Sequence, residues 1–317
     1  MKRLKKNKLQ TIYGPVPSRR LGYSLGIDLV PFKTCTYNCI YCQLGITTLP
    51  TKKQKKYLPV KKIIKNLKQL LKQNIHIDFI TLSGSGEPTL NSDIGVIIKA
   101  IKSITDIPVA VITNSSLLYK KDVRNALLNA NVVLPTFTSA NSTTFKKIHR
   151  PIQSITLNRT LEGLVKFRKI YKGQIWLELM LIKGLNDTKQ ELNALKKIIN
   201  KIKPDKIQLN TVVRPPSEKY AKAVSRWQLN KIKKMLGKKC EVVAEFKKTS
   251  NLIELIPRRK IILAYLKRRP GTFNDLQKSL GMNANELIKN LERLLKTKKI
   301  KKRKHGGCIF YEVLQNN

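Results

Sequence analysis

From residue 25 to residue 246, short apolar runs alternate with amphipathic stretches. The runs are GIDLVPF (26–32), IDFITL (77–82), PVAVIT (108–113), NVVLPTF (131–137), QIWLELML (174–181) and KIQLNTVV (206–213). They lack strict polar alternation, the pattern of strands buried on both faces. Between them, apolar positions recur at helical spacing. Ile63, Ile64, Leu67, Leu70 and Leu71 share one face. Ile94, Ile97, Ile98, Ile101 and Ile104 share a second, and Leu192, Leu195, Ile198, Ile199 and Ile202 a third. Six strand–helix units in series predict an α/β fold with a parallel sheet and right-handed crossovers, open or closed into a partial barrel. In such folds the chemistry gathers at the C-terminal ends of the strands.

After Pro257 the pattern changes. RRKIILAYLKRR predicts a helix ended by Pro270-Gly271, and Thr272 to Leu280 a second helix stopped at Gly281. Asn283 is placed to cap a third helix running to about Thr297. KKIKKRK and CIFYEVL then flank His305-Gly306-Gly307 as a hairpin. Three helices and a hairpin are the order of a winged helix-turn-helix domain. The expected organisation is a basic N-terminal segment (1–24), a catalytic core (25–250) and a winged helix-turn-helix domain (256–317).

Charge changes the picture most. Lys and Arg number 64 against 19 Asp and Glu, a net charge of +45. Such a field concentrates polyanions, so nucleic acid, RNA first, is the expected partner. The stretch 256–317 alone holds 16 Lys or Arg against 4 Asp or Glu. Lys298, Lys301 and Arg303 would lie on the wing, where phosphate contacts give salt-dependent affinity with little sequence reading. No run reaches the ~20 apolar residues of a membrane helix, and no apolar stretch follows the basic MKRLKKNKLQ. A cytoplasmic protein with no membrane partner is expected.

Of five cysteines, Cys35, Cys39 and Cys42 crowd into eight residues, and Cys240 and Cys308 stand alone. In a reducing compartment such clustering predicts metal rather than disulfides. A structural zinc site would want four protein ligands. Three thiolates on one loop can instead ligate three irons of a [4Fe-4S] cubane, leaving the fourth iron open to a substrate. Cys240 and Cys308 read as core residues. His76, His149 and His305 are isolated and read as surface or capping residues, with His149 kept as a weak site candidate.

CxxxCxxC with the aromatic Tyr41 before its last cysteine resembles the radical SAM superfamily. The resemblance extends through GPVPSRRLGYSLGIDLVPFKTCTYNCIYCQLG, TLSGSGEPTL, VITNSSLLYKKDVR, IHRP, IWLELMLIKGLND and IQLNTVVRPP. Together these are similar to an archaeal and bacterial subgroup grouped with the tRNA wyosine-base enzymes, over roughly residues 11–240. The resemblance implies a partial (β/α)6 TIM-like barrel carrying the C-terminal winged helix. It implies that Cys35, Cys39 and Cys42 bind the cluster, and that S-adenosylmethionine (SAM) is cleaved reductively to a 5′-deoxyadenosyl radical. A low-potential donor such as ferredoxin or flavodoxin would supply the electron.

The family's GGEP motif, which binds the methionyl amine, maps onto Ser85-Gly86-Glu87-Pro88 with its first glycine a serine; Gly84 precedes it. Asn114, at the end of the third strand, can hydrogen-bond the ribose or carboxylate of SAM or serve as an ordinary helix N-cap, and Thr136, at the end of the fourth, keeps a hydroxyl for the ribose or carboxylate end of SAM. Thr138 stands where relatives often carry Asp, which removes a carboxylate. Tyr41 is expected to meet adenine through its backbone. Arg19 and Arg20, before the first strand, and Arg214, after the last, are candidates for an anionic substrate group, with Asn210 and Pro215 at the same strand end. RNA, most of all tRNA, is the expected substrate. The alternatives are an activase or peptide-modifying enzyme, and a redox-sensing Fe-S regulator that binds nucleic acid.

Overall fold

A computed structural model of the chain describes residues 11–73, 75–243, 258–282 and 284–314. Pro257, Asn283 and the boundary expected at 250–256 lie outside the described residues.

The chain opens with the antiparallel pair β1 (Ile12–Ser18) and β2 (Gly22–Ile27). The two-residue strands β3 (Thr34–Cys35) and β4 (Leu49–Pro50) bracket the cysteine loop. Strands and helices then alternate: α1 (Val60–Leu71), β5 (Phe79–Leu82), α2 (Ile94–Lys102), β6 (Val109–Thr113), α3 (Lys121–Ala126) and β7 (Val132–Phe137). They continue as α4 (Ser142–His149), α5 (Leu157–Ile170), β8 (Gln174–Leu181), α6 (Lys189–Ile202), β9 (Lys206–Thr211), α7 (Arg226–Leu236) and β10 (Cys240–Val242). The sheet runs β1-β2-β5-β6-β7-β8-β9-β10, and every neighbouring pair except β1–β2 is parallel. The fold is therefore α/β with a mostly parallel sheet.

The apolar runs enter the sheet because both faces are covered: all six residues of β7 and seven of the eight in β8 are buried. On α6, Leu192, Leu195, Ile198, Ile199 and Ile202 form the buried stripe, each contributing roughly 1.5–3 kcal/mol of transfer free energy. Thr188 caps that helix by accepting from the Glu191 N–H.

Three differences from the sequence expectation matter for the site. The first parallel strand is Gly22–Ile27, not 26–32; Leu29 and Val30 are buried as wall rather than strand. Residues 11–24 supply β1 and the start of β2 rather than a separate segment. The short β10 adds an eighth strand beside β9.

The C-terminal residues form α8 (Arg258–Leu266), β11 (Gly271–Thr272), α9 (Phe273–Leu280), α10 (Ala284–Lys296), β12 (Ile300–His305) and β13 (Cys308–Val313). Their small sheet has the order β11-β13-β12. Thr272 and Asp275 form a reciprocal capping box at the start of α9, and Gly281 ends it in the left-handed conformation. The helices enclose their own apolar cluster, with Ile262, Leu276, Leu287 and Leu291 at its centre. This module leans on β1: Val16 packs against its cluster and the Arg268 guanidinium lies 3.8 Å from the centre of the Tyr13 ring. Among the described residues, no helix is long and apolar enough to cross a membrane.

Candidate functional site

The cysteine loop is pinned from several sides. The Asn38 and Ile40 N–H groups donate to the carbonyls of His149 (2.9 Å) and Ile148 (3.0 Å), at the end of α4. Ser217 Oγ donates to the Cys39 carbonyl (2.9 Å), and Thr47 N to Asn38 Oδ1 (2.9 Å). The three free cysteines line one cavity of about 310 Å³ at the strand ends. Each sulfur has its own nitrogen neighbour. Asn114 Nδ2 is 3.4 Å from Cys35 Sγ, His149 Nδ1 is 3.2 Å from Cys39 Sγ, and Lys33 Nζ is 3.3 Å from Cys42 Sγ.

Burial, with a smaller push from Glu87, raises the Cys35 thiol to about 11, and burial drives Cys39 up as well. Burial thus disfavours a free thiolate at Cys35 and Cys39, and bound positive charge would stabilise one. Among the described residues, no three His, Cys, Asp or Glu side chains converge on a single-ion position. Three soft sulfur donors spread around a cavity suit a cubane, whose irons bind them one each, better than one tetrahedral ion.

The loop after β5 forms the facing wall, through Gly84, Ser85 and Gly86. Gly84 has φ +144°, and a Cβ there would lie 2.6 Å from the Asp28 carboxyl carbon. At Gly86 a Cβ would fall 2.0 Å from the Thr34 carbonyl oxygen, so only glycine lets this loop lie against the cysteine segment. Ser85, standing where the family has glycine, donates to Asp28 from both its N–H (3.1 Å) and its hydroxyl. Burial raises the Asp28 carboxyl, partly offset by these two donors.

Glu87 lies behind the wall and does not line the cavity. Its carboxylate accepts from Thr89 N (3.0 Å), Thr89 Oγ1 (2.6 Å), Thr113 Oγ1 (2.7 Å) and Asn114 N (2.7 Å). It thus ties the end of β5 to the end of β6, and Asn114 passes the constraint on to Thr36 Oγ1 (2.8 Å) and Cys35. Asn114 and Thr136 likewise stand behind the lining; Thr136 Oγ1 donates to Glu178 (2.6 Å). Tyr41 lines the cavity, with its ring edge-on to His149.

Glu178, in the middle of β8, is the acid inside the cavity. It accepts from Arg20 Nη1 (2.8 Å), Asn210 Nδ2 (2.8 Å) and Thr136. Desolvation pushes its carboxyl up, but Arg20 and these donors outweigh it and hold the pKa below the ordinary carboxylate value. Arg19, Arg20 and Arg214 all line the cavity, together with Lys33 and Arg269.

The remaining candidates are elsewhere. Lys298, Lys301 and Arg303 are outside the cavity. Lys301 and Arg303 share Glu312 at 3.4 and 3.8 Å, and Arg303 Nη2 donates to the Pro216 carbonyl (3.0 Å). His76 is exposed and pairs with Asp78, and His305 reaches the Val212 carbonyl. Two expectations are corrected. His149 is not at the surface but buried between Cys39 and Thr138 Oγ1 (2.8 Å), because the last turn of α4 packs under the loop. Cys308 is exposed, on the first position of a hairpin strand; Cys240 alone is a core residue. Lys33, Asp28, Glu178 and Arg269 were not singled out from sequence. The one signal available was Glu178, a lone carboxylate in an otherwise apolar strand.

Residues 29–195 match the model of the Radical SAM superfamily. The chain is 41% identical over 97% of its length to the GTPase Obg of Brachyspira hyodysenteriae, but spans only 46% of that protein. It is 33% identical to a UPF0026 protein of Methanocaldococcus jannaschii, over 94% of each chain. Among solved structures, a radical SAM methyltransferase from Sphaerobacter thermophilus superposes with a TM-score of 0.53 at 12% identity, over 69% of this chain and 65% of that one. At that identity the likeness shows the fold.

Proposed function

The chain belongs to the radical SAM superfamily, and from that footing we propose that it is an enzyme that cleaves SAM at a [4Fe-4S] cluster in order to modify RNA, with tRNA as substrate. Members of the superfamily use this cluster and SAM. The observation that carries the reading is the convergence of three free cysteines on one cavity, each with a nitrogen 3.2–3.4 Å from its sulfur. When bound and reduced, the cluster would supply the one electron for reductive cleavage of a carbon–sulfur bond of SAM, with methionine as the leaving group and the deoxyadenosyl fragment as the hydrogen-atom acceptor. A ferredoxin or flavodoxin is the proposed electron donor.

The chain's own residues hold and shield. Cys35, Cys39 and Cys42 bind three irons, and Lys33 and Asn114 donate to two of the sulfurs, which stabilises thiolate charge in a desolvated site. Gly84, Ser85 and Gly86 present backbone to SAM at close range. Glu87 fixes that loop from behind. Cytoplasmic location follows from this reading, since the cluster needs a reducing compartment.

The RNA assignment rests on the +45 charge, the similarity to the tRNA wyosine-base group, and the C-terminal module. We read that module as a winged helix from its three helices and three-stranded sheet. A second reading, a peptide or protein modifier, draws on the pairing of Lys301 and Arg303 with Glu312, which leaves the wing less free for phosphates.

Anaerobic reduction of the reconstituted protein with SAM should release 5′-deoxyadenosine, and Cys39→Ala should abolish it. Turnover surviving in that variant would sink the ligand assignment. Gel-shift affinity for bulk tRNA should fall steeply with salt; affinity indifferent to salt, or copurification of one protein without RNA, would favour the second reading.

A further inference from the structure

The cavity holds five cationic side chains, Arg19, Arg20, Lys33, Arg214 and Arg269, against one carboxylate, Glu178. Two of the five are accounted for. Arg20 is paired with Glu178 at 2.8 Å, and Lys33 sits 3.3 Å from Cys42 Sγ, where it meets thiolate charge. Three guanidinium groups remain. Among the described residues, no carboxylate forms an ion pair with Arg19, Arg214 or Arg269. Arg214 Nε and Arg269 Nη2 donate to neutral backbone, the Pro270 (3.1 Å) and Pro17 (3.5 Å) carbonyls, and the Arg269 guanidinium also lies 4.6 Å from the centre of the Tyr265 ring.

Unmatched positive charge in a partly desolvated cavity opposes the folded state unless an anion meets it. Burial, then Arg214 and Arg20 nearby, pull the Arg19 guanidinium down to about 10 against the opposing pull of Glu178, and burial and Arg269 lower Arg214 against Tyr265 and Asp275. The three arginines come from three separate parts of the chain, namely the β1–β2 turn, the segment after β9 and the segment after α8. A carboxylate is saturated by one bidentate arginine. A phosphate presents more oxygens and up to two charges, so it suits three converging guanidiniums.

We infer that Arg19, Arg214 and Arg269 form a phosphate-binding site at the rim of the cavity, which holds a phosphate group of the substrate beside the cysteine loop. The inference deepens the functional reading above by naming the group through which the substrate is held. It also makes the C-terminal module part of the cavity, since that module supplies Arg269. The phosphate belongs either to a nucleotide or to a nucleic-acid backbone.

Inorganic pyrophosphate is the probe. Titrated calorimetrically into the anaerobic, cluster-loaded protein, it should bind saturably, and equally well with saturating SAM present. Arg19→Gln and Arg269→Gln should each weaken it about tenfold, the scale of one charge-assisted contact. The wild-type titrations need no variant, so they stand even if a substitution unfolds the chain. No saturable binding, displacement by SAM, or undiminished binding in both folded variants would each overturn the site. A 5′-phosphorylated mononucleotide matching a tRNA fragment in affinity identifies a nucleotide source; a much tighter fragment identifies the backbone. 5′-Deoxyadenosine is measured in the same preparation. Pyrophosphate binding without it supports the arginine site while failing the SAM reading, and its formation without pyrophosphate binding does the reverse.

Discussion

The wall around the cysteines and the C-terminal module carry charge in opposite ways. In the wall, carboxylates are buried and individually matched: Glu87 takes four donors, Asp28 two from Ser85, and Glu178 three. In the module the core is apolar, and charge lies outside it, with Lys301 about half exposed at 54%. A buried, saturated carboxylate acts through specific bonds, none of which water can replace. Exposed lysines act through a shared field, screened beyond ~8 Å at physiological salt, in which each is nearly interchangeable with the next. Position is therefore critical in the first region, and number in the second.

The largest expected effect tests the first half of that contrast. Glu87→Ala strands the Asn114 and Thr89 N–H groups and the Thr113 hydroxyl in a dry interior, and should cost about 3–5 kcal/mol of stability. Guanidinium titration of the cluster-loaded protein would measure it, with visible absorbance reporting cluster loss. A cost as small as a surface substitution's would break the comparison.

Glu178→Gln should cost about 2 kcal/mol at pH 7, from weakened charge-assisted bonds to Arg20 and Thr136. Its sign with pH follows from the depressed carboxyl. A carboxylate whose folded pKa lies below its unfolded one stabilises the fold above the ordinary value of 4.5 and loses that contribution as pH falls through the folded value. Stability curves of wild type and variant should therefore converge as pH falls below the ordinary carboxyl value of 4.5. A difference that stayed constant with pH would show that shape, not charge, holds Arg20.

The smallest effect belongs to the module. Lys301→Ala should change stability by about 0.5 kcal/mol or less. Filter binding across a salt series should show tRNA affinity down roughly threefold and the salt slope reduced by about one. An effect of two orders of magnitude would make Lys301 a specific contact and erase the distinction.

The sequence showed the alternation of β5 to β9 with their helices, because strands buried on both faces leave continuous apolar runs. It misjudged LVPF, residues 29–32, because Leu29 and Val30, buried outside the sheet, have the same composition as residues buried in one, while Phe32 is exposed. It missed β1, whose Gly14, Pro15 and Pro17 read as turn chemistry, although an edge strand tolerates proline. The cysteines were legible as a local motif. Their nitrogen neighbours were not: Asn114 and His149 lie 79 and 110 residues from the sulfurs they meet, and only the crossing of the chain brings them together. Arg269 is the extreme case, a residue that looks like helix-end charge until the module is seen to lean on the cavity.

That leaning also has a consequence for the order in which the molecule can be completed. β1 leaves the ribosome well before α8 and α9, which cover it. Until they follow, the Ile12–Ser18 strand would stand as an open sheet edge, the feature most prone to pairing with another chain. Pro15 and Pro17 lack the N–H groups such pairing needs. The two prolines that hid this strand from pattern reading are thus also its guard while the nascent chain waits for its cover.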